Sequence, residues 1–119
     1  MLLYESALVL LLIKHWLVDF VWQTPQMLAG KGQYGQRHGL LHSLQHGAAT
    51  FLIFVLAGIP FAISVALIDM ISHYHIDWIK SNYGNSDSSS KQFWNHLGLD
   101  QLAHGLVYLL IVGVFIRDI

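Results

Sequence analysis

Cysteine is absent from the 119-residue chain, and charged residues make up only 11% of it. The lack of cysteine excludes disulfides, thiolate metal sites and a cysteine nucleophile. An ordinary soluble domain is roughly 25% charged. A helical protein with this composition has too few charged residues to give each helix a polar outer face. With 55% hydrophobic residues and a mean hydropathy of +0.51, the chain favours a lipid bilayer as its solvent. A formal net charge of -1 gives no field for a polyanion, so we expect no nucleic-acid partner.

The apolar residues fall in four segments, each close to the length of about 20 residues that a transmembrane helix needs. These segments cover residues 2–22, 39–58, 60–79 and 93–116. Polar loops at residues 23–37 and 82–91 separate the first segment from the second and the third from the fourth, and Pro25 predicts a helix stop. Gly58-Ile59-Pro60 predicts a tight turn between the second and third segments. The sequence therefore predicts an all-α fold, a four-helix transmembrane bundle that forms a single domain over residues 1–119.

Polar residues recur every four positions in one part of each segment, a spacing that places them on one face of a helix. The four polar ladders are His15, Asp19 and Gln23; His38, His42 and His46; Asp69, His73 and Asp77; and His96, Asp100 and His104. They hold seven of the eight histidines, and we interpret the eighth, His75, as a helix-packing contact. The ladders end the first and third helices and begin the second and fourth. In an up-down-up-down bundle, all four therefore lie in the same half of the membrane.

The chain repeats itself after 58 positions, without a gap. This shift places His15 on His73, Asp19 on Asp77, His38 on His96, His42 on Asp100 and His46 on His104. The repeat halves, residues 1–58 and 59–119, read as two helical hairpins that start on the same side. They predict a pseudo-twofold axis along the membrane normal, as in the parallel repeats of some transporters.

The histidines and aspartates of the four polar ladders are the candidate functional residues. An ionisable group at the centre of a bilayer costs roughly 2.5–3.5 kcal/mol, so these residues must face inward and find partners. A divalent metal ion neutralises carboxylates and accepts imidazole lone pairs, and pairs at i, i+4 aim two ligands at one ion. The predicted ligands are His15, Asp19, His42, His46, His73, Asp77, Asp100 and His104. Nitrogen and oxygen ligands without sulfur suit zinc, which we favour, or iron or manganese, in a binuclear centre or at a single ion.

Other polar residues have predicted roles around the metal. Asp69 lies one turn deeper, and we predict it, together with Asp77, as a catalytic carboxylate that accepts a proton. The residues expected to orient a ligand or guard the entrance are Gln23, His38 and His96. Lys14 lies near the middle of the first helix, where it must snorkel or pair with a ladder carboxylate. The alternative to a metal site is a polar packing network of hydrogen bonds between the ladders.

Basic residues accompany the two long loops. Four of the six basic residues lie in these loops or at the adjoining helix ends: Lys31, Arg37, Lys80 and Lys91. The positive-inside rule then places the loops in the cytoplasm and both termini outside, in a bacterial inner membrane. We interpret these basic residues as topology signals, with phosphate binding as the less favoured alternative.

Four motifs resemble a known family. They are HWLVDFVWQT at residues 15–24, LHSLQH at 41–46, SHYHID at 72–77 and LDQLAH at 99–104. Over nearly its whole length the chain resembles the small bacterial and phage membrane proteins catalogued as domain of unknown function thirty-three-oh-seven (DUF3307), a name that implies no activity. In architecture alone it is similar to the membrane-bound metal-dependent hydrolases of bacteria, a resemblance that implies a class of reaction and no substrate.

The favoured interpretation is a metal-dependent membrane hydrolase that acts on a lipid, a lipid-linked substrate or a membrane peptide. Its substrate would enter from the cytoplasmic face or laterally from the inner leaflet. Two alternatives use the same ladders: a carrier or channel for metal ions or protons, and an oxygen-activating di-iron enzyme. A haem-binding bundle is disfavoured because carboxylates are not usual axial ligands. Assembly into a homo-oligomer is left open.

Overall fold

The computed structural model describes residues 4–118, a part of the chain that is helical and contains no strand. Its five α-helices are α1 (Tyr4–Trp16), α2 (Pro25–Gly30), α3 (Arg37–Phe54), α4 (Ile59–Tyr83) and α5 (Lys91–Asp118). A π-helical segment, Leu17–Val21, continues α1, and a 3₁₀ turn, Val55–Ala57, follows α3. The predicted all-α class is confirmed. Residues 2 and 3, which begin the first predicted span, lie outside the described residues.

Three helices of the described chain are long and apolar enough to cross a membrane: Arg37–Ala57, α4 and α5. At most 33% of the apolar stretch of each is buried, and side chains such as Leu52 and Leu106 are 70% and 56% exposed. Apolar surface of this extent suits lipid better than water. The first predicted span consists of α1 and the π-helical segment, and α1 packs against α3 and α5. That it also crosses the membrane stays a prediction.

The first polar loop contains a helix that the sequence did not reveal. The first helical segment ends at Val21, before Pro25, as the predicted helix stop requires, but Pro25 also begins α2, where the missing N–H of proline is tolerated. Thr24 caps this helix by accepting a hydrogen bond of 3.1 Å from the Met27 N–H. The helix ends at Gly30, and a Cβ on Gly39 of α3 would lie only 2.9 Å from the Gly30 oxygen. Glycine at these positions therefore allows α2 to pack against the ladder end of α3.

Apolar and polar side chains occupy opposite halves of the bundle. The core of the apolar half comprises Ala7, Leu11, Phe54, Ala62, Val65, Tyr108, Ile111, Val112 and Phe115. At this end Gly58, with φ of 120°, makes the predicted turn between α3 and α4, and Pro60 lies in the first turn of α4. Only glycine adopts such a φ readily. The ladders occupy the other half, next to the two long connections, as the order of polar and apolar segments predicts.

The second long connection is held by hydrogen bonds of its own. The Ser89 hydroxyl and N–H donate to Asp87 Oδ1 over 2.7 and 3.0 Å, and these bonds lower the pKa of the Asp87 carboxyl. The Asn85 N–H donates to His96 Nδ1 over 2.8 Å. This loop is therefore anchored to the first turns of α5.

Candidate metal centre

The predicted ligands converge in the polar half of the bundle. Their nitrogen and oxygen atoms form three groups, and within each group these atoms lie within 4.8 Å of one another. The groups are His15, Asp19, His46 and His73; Asp19, His42, His73 and Asp77; and Asp77, Asp100 and His104. All eight predicted ligands belong to these groups, and every one is buried. The four-residue spacing of the ladders therefore located the cluster.

Asp19 is the centre of the first two groups. Its Oδ1 atom lies 2.8 Å from His46 Nε2 and 2.9 Å from His42 Nε2. The same oxygen lies 3.4 Å from His73 Nε2, whereas Oδ2 lies 3.1 Å from His15 Nε2. The Asp19 carboxylate thus contacts histidines of three helices, α1, α3 and α4.

Asp77 has the corresponding place on the other side of the cluster. Its Oδ2 atom lies 3.0 Å from His73 Nε2, and its Oδ1 atom lies 3.2 Å from His104 Nε2. The Lys31 ammonium, directly after α2, lies 3.0 Å from Oδ2. Asp100 completes this side, with Oδ1 3.5 Å from His104 Nε2. Lys31, interpreted from the sequence as a topology signal, is therefore buried against a candidate ligand.

Several imidazole rings of the cluster pack against one another. The Nε2 atoms of His42 and His73 lie 3.3 Å apart, and each also lies within 3.0 Å of a carboxylate oxygen. Their Nδ1 atoms are buried without hydrogen-bond partners in residues 4–118. The His73 ring stacks on His46 and His104, with centroid separations of 3.6 and 4.1 Å. Imidazoles beside carboxylates are the ligand set that zinc, iron and manganese accept.

A buried ion pair lies one turn deeper than the cluster. Lys14 donates to Asp69, which also accepts a hydrogen bond from the Thr50 hydroxyl. The Lys14 ammonium lies 3.0 Å from His46 Nδ1 and 4.8 Å from the centroid of the Tyr108 ring. The prediction that Lys14 either snorkels or pairs with a ladder carboxylate is resolved in favour of the pair. Asp69, predicted as a proton acceptor, is therefore already engaged by two donors.

Hydroxyl and amide side chains complete the site, and sequence reasoning missed them. The Tyr108 hydroxyl lies 2.7 Å from His15 Nδ1. The Gln101 amide oxygen lies 2.8 Å from His15 Nε2, and its NH₂ group donates to Asp100 over 3.0 Å. Thr50 and Tyr108 each lie four positions beyond the last histidine of a ladder, so the same spacing rule would have found them. Gln101 has no such signal, because it contacts the site from beside a ladder.

The residues predicted to guard the entrance lie outside the three groups. His96 Nδ1 accepts the Asn85 N–H, and half-buried His38 is near the start of α3. Gln23 Oε1 is buried without a hydrogen-bond partner in the described chain. His75, predicted as a packing residue, contacts the Tyr34 hydroxyl over 2.9 Å. The roles of the three entrance residues stay predictions.

Residues 4–118 thus define an all-helical protein with three helices of membrane-spanning length and a buried cluster of histidines and aspartates that could hold a metal ion. The chain belongs to the family described as "Protein of unknown function (DUF3307)", whose model matches residues 7–118. This match confirms the resemblance carried by the four sequence motifs. No curated protein and no solved structure matches the chain. The looser likeness to membrane-bound hydrolases therefore stays a prediction.

Proposed function

We propose that this chain is an integral membrane protein that binds a divalent metal ion within its helical bundle and uses it to hydrolyse a lipid or lipid-linked substrate. The observation that supports the proposal is the convergence of eight buried histidines and aspartates into groups whose ligand atoms lie within 4.8 Å of one another. Charged groups removed from water need a partner of opposite charge.

We propose that the bundle consists of two hairpins, residues 1–58 and 59–119, related by a pseudo-twofold axis, with α1 as a fourth span. Contacts related by the repeat support this arrangement. His15 Nε2 lies 3.1 Å from Asp19 Oδ2, and His73 Nε2 lies 3.0 Å from Asp77 Oδ2. A site near such an axis takes ligands from both hairpins, which is how the first two groups are composed.

The charge of the buried residues favours a single divalent ion. The buried carboxylates are Asp19, Asp69, Asp77 and Asp100, and the buried lysines are Lys14 and Lys31. With neutral imidazoles, these side chains leave two negative charges, which one divalent cation neutralises. A second ion would leave a positive surplus inside the protein unless an anion entered with it. The count therefore favours one resident ion over the binuclear centre and over the di-iron alternative.

The side chains suggest how such a site would act. A bound divalent ion supplies a Lewis acid that polarises a substrate oxygen and makes a bound water more acidic. Asp100 Oδ1 has no hydrogen-bond partner in the described residues, so we assign the role of proton acceptor to Asp100 or to Asp77. Asp69 holds Lys14 in place beneath His46.

A carrier for protons or metal ions is the second candidate. The pair of Lys14 and Asp69 favours it, because this pair extends the polar side chains one turn beyond the cluster. Beyond that turn the interior consists of apolar side chains, including Ile111 and Phe115. An ion would find no ligand along that part of a single chain. The enzyme therefore accounts better for the observed geometry.

Metal analysis of the purified protein tests the proposal. Wild-type protein, His73→Ala and His75→Ala are loaded in turn with zinc, manganese and ferrous iron, desalted and analysed by mass spectrometry of the elements. His75 lies on the same helix but outside the candidate groups, so His75→Ala is the matched control. We expect about one ion per chain in the wild type and the control and none in His73→Ala. A wild type that retains no ion would instead support the metal-free packing network.

Activity and transport measurements then separate the two candidates. The loaded wild type is incubated with ester and phosphoester lipids in mixed micelles, with His73→Ala as the inactive reference. Hydrolysis that depends on the ion supports the enzyme. Flux of ions across proteoliposomes, in the absence of any hydrolysis, supports the carrier.

A further inference from the structure

A groove runs along the surface between α4 and α5, in the polar half of the bundle. Its volume is about 290 Å³, and its apolar lining includes Ile76, Ile79, Leu99 and Ala103. Ile79 and Leu99 are 53% and 55% exposed, so the groove faces the surroundings of the bundle. In a membrane these surroundings are acyl chains, and an acyl chain is the apolar occupant that such a groove fits.

Polar side chains also line the groove. Lys80 and His96 lie on the side of the groove next to the second long loop, and Asp100 lies one turn further along α5. Lys80 makes no ion pair within residues 4–118. His96 is oriented by the bond that its Nδ1 accepts from the Asn85 N–H. A cation and an oriented imidazole next to an apolar groove favour an anionic group attached to an apolar chain.

Asp100 connects the groove to the candidate metal centre. Only 6% of its surface is exposed, and its buried Oδ1 atom makes no hydrogen bond among the described residues, where it lies 3.5 Å from His104 Nε2. Asp100 also belongs to the group that contains Asp77 and His104. A buried carboxylate oxygen without a partner is unfavourable unless a ligand or an ion completes its contacts. The groove thus reaches one of the eight predicted ligands.

Two other surface grooves do not reach the cluster. One, of about 230 Å³, lies around Tyr34, Tyr74 and His75, and the other, of about 200 Å³, is lined by apolar residues of α3 and α4 such as Phe51 and Leu67. Neither is lined by any of the eight predicted ligands. Of these three grooves, the one between α4 and α5 therefore offers a path from the bilayer to the candidate centre.

We propose that the groove between α4 and α5 binds a lipid that carries a phosphate group, with one acyl chain against Ile79 and Leu99 and the phosphate at Lys80 and His96. This assignment rests on the proposed function, since it names the class of substrate that would be presented to the metal centre beside Asp100. It differs from a general affinity for lipid because it requires both the apolar lining and the anionic headgroup.

Binding of two lipids with identical acyl chains tests the assignment. Delipidated, metal-loaded protein is titrated with phosphatidic acid and, separately, with diacylglycerol, and the complexes are counted by native mass spectrometry. Ala103→Trp fills the groove, and Leu102→Trp is its control, because Leu102 is exposed on the same helix without lining the groove. Lys80→Gln removes the cation, and Lys91→Gln removes one at the exposed start of α5.

We expect phosphatidic acid to bind the wild type at least about tenfold more tightly than diacylglycerol. Ala103→Trp should weaken both lipids about tenfold, whereas Lys80→Gln should abolish only the preference for phosphate. Equal binding of the two lipids, or a groove-filling variant that binds like Leu102→Trp, overturns the assignment.

Metal content is measured on the same samples. Loss of lipid binding in a variant that still holds its ion shows that the groove, and not the fold, was changed. A wild type that prefers phosphatidic acid but holds no metal removes the proposed function and, with it, the identification of this lipid as a substrate. Failure of the groove and failure of the metal site are thus separate results.

Discussion

Asp19 Oδ1 lies 2.8 Å from His46 Nε2, and these two atoms join the two long helical segments of the first hairpin. In the second hairpin, the residues 58 positions later make the same contact, since Asp77 Oδ1 lies 3.2 Å from His104 Nε2. Two carboxylates thus have matching places on opposite sides of one cluster. Because the two carboxylates make matching contacts, the metal proposal predicts that both contribute to metal binding.

Replacing either carboxylate should weaken metal binding to a similar degree. Asp19→Asn and Asp77→Asn keep the size of the side chain but remove a charge and a ligand oxygen. We expect each to reduce zinc affinity by at least about a hundredfold, measured by competition with a chromogenic chelator. Asp87→Asn, in the exposed loop, is the control and should bind as the wild type does. An unchanged affinity in either variant would show that the carboxylate concerned is not a ligand.

The ion pair of Lys14 and Asp69 should couple strongly in a double-mutant cycle. Lys14→Met leaves a buried carboxylate without its cation, and Asp69→Leu leaves a buried cation, so each should lower the free energy of unfolding by about 3–5 kcal/mol. Leucine is a suitable replacement because Leu11 occupies the repeat-equivalent position. The double variant should recover most of this loss when unfolding is followed in detergent. Losses that simply add would mean that the two charges do not stabilise one another.

The contact between α2 and α3 depends on Gly39. In Gly39→Ala the new methyl group would lie 2.9 Å from the Gly30 oxygen, so we expect a loss of about 1–3 kcal/mol in stability and easier proteolysis within residues 23–36. A Cβ at Gly98, on α5, would meet nothing within 4 Å. Gly98→Ala should therefore stabilise the helix by about 0.5–1 kcal/mol. Thermal unfolding of the two variants in detergent measures both changes, and equal effects would contradict this account of the contact.

The predicted orientation can be tested with single cysteines, because the chain has none of its own. Ser88→Cys lies in the second long loop, and Leu56→Cys lies at the opposite end, where Leu56 is 98% exposed. We expect a membrane-impermeant maleimide to label Leu56→Cys in intact bacterial cells and Ser88→Cys only after permeabilisation. The reverse pattern would place the candidate metal centre near the outer face.

The ladders were predictable because a helix converts a spacing of four residues into a common face. That rule found all eight members of the three groups and, had it included hydroxyl groups, would also have found Thr50 and Tyr108. The turn at Gly58 was equally predictable, because a glycine and a proline close together are typical of a turn between helices.

Contacts made by chain-distant residues without periodicity were not predictable. Lys31 reaches Asp77 from the connection after α2, across 46 positions of sequence, and α2 itself begins at a proline that equally suits a helix stop or a helix start. The partner of Lys14 could be named only as a class, because several carboxylates lie at a similar depth. These contacts are determined by three-dimensional packing, and the periodicity along one helix carries no information about it.

The first two ligand groups draw members from both sides of the turn at Gly58. Neither residues 1–58 nor residues 59–119 alone can therefore supply the complete set, and an ion bound there would hold the two halves of the chain together. If residues 1–58 and 59–119 are co-expressed as separate polypeptides, their association should therefore depend on the supply of metal.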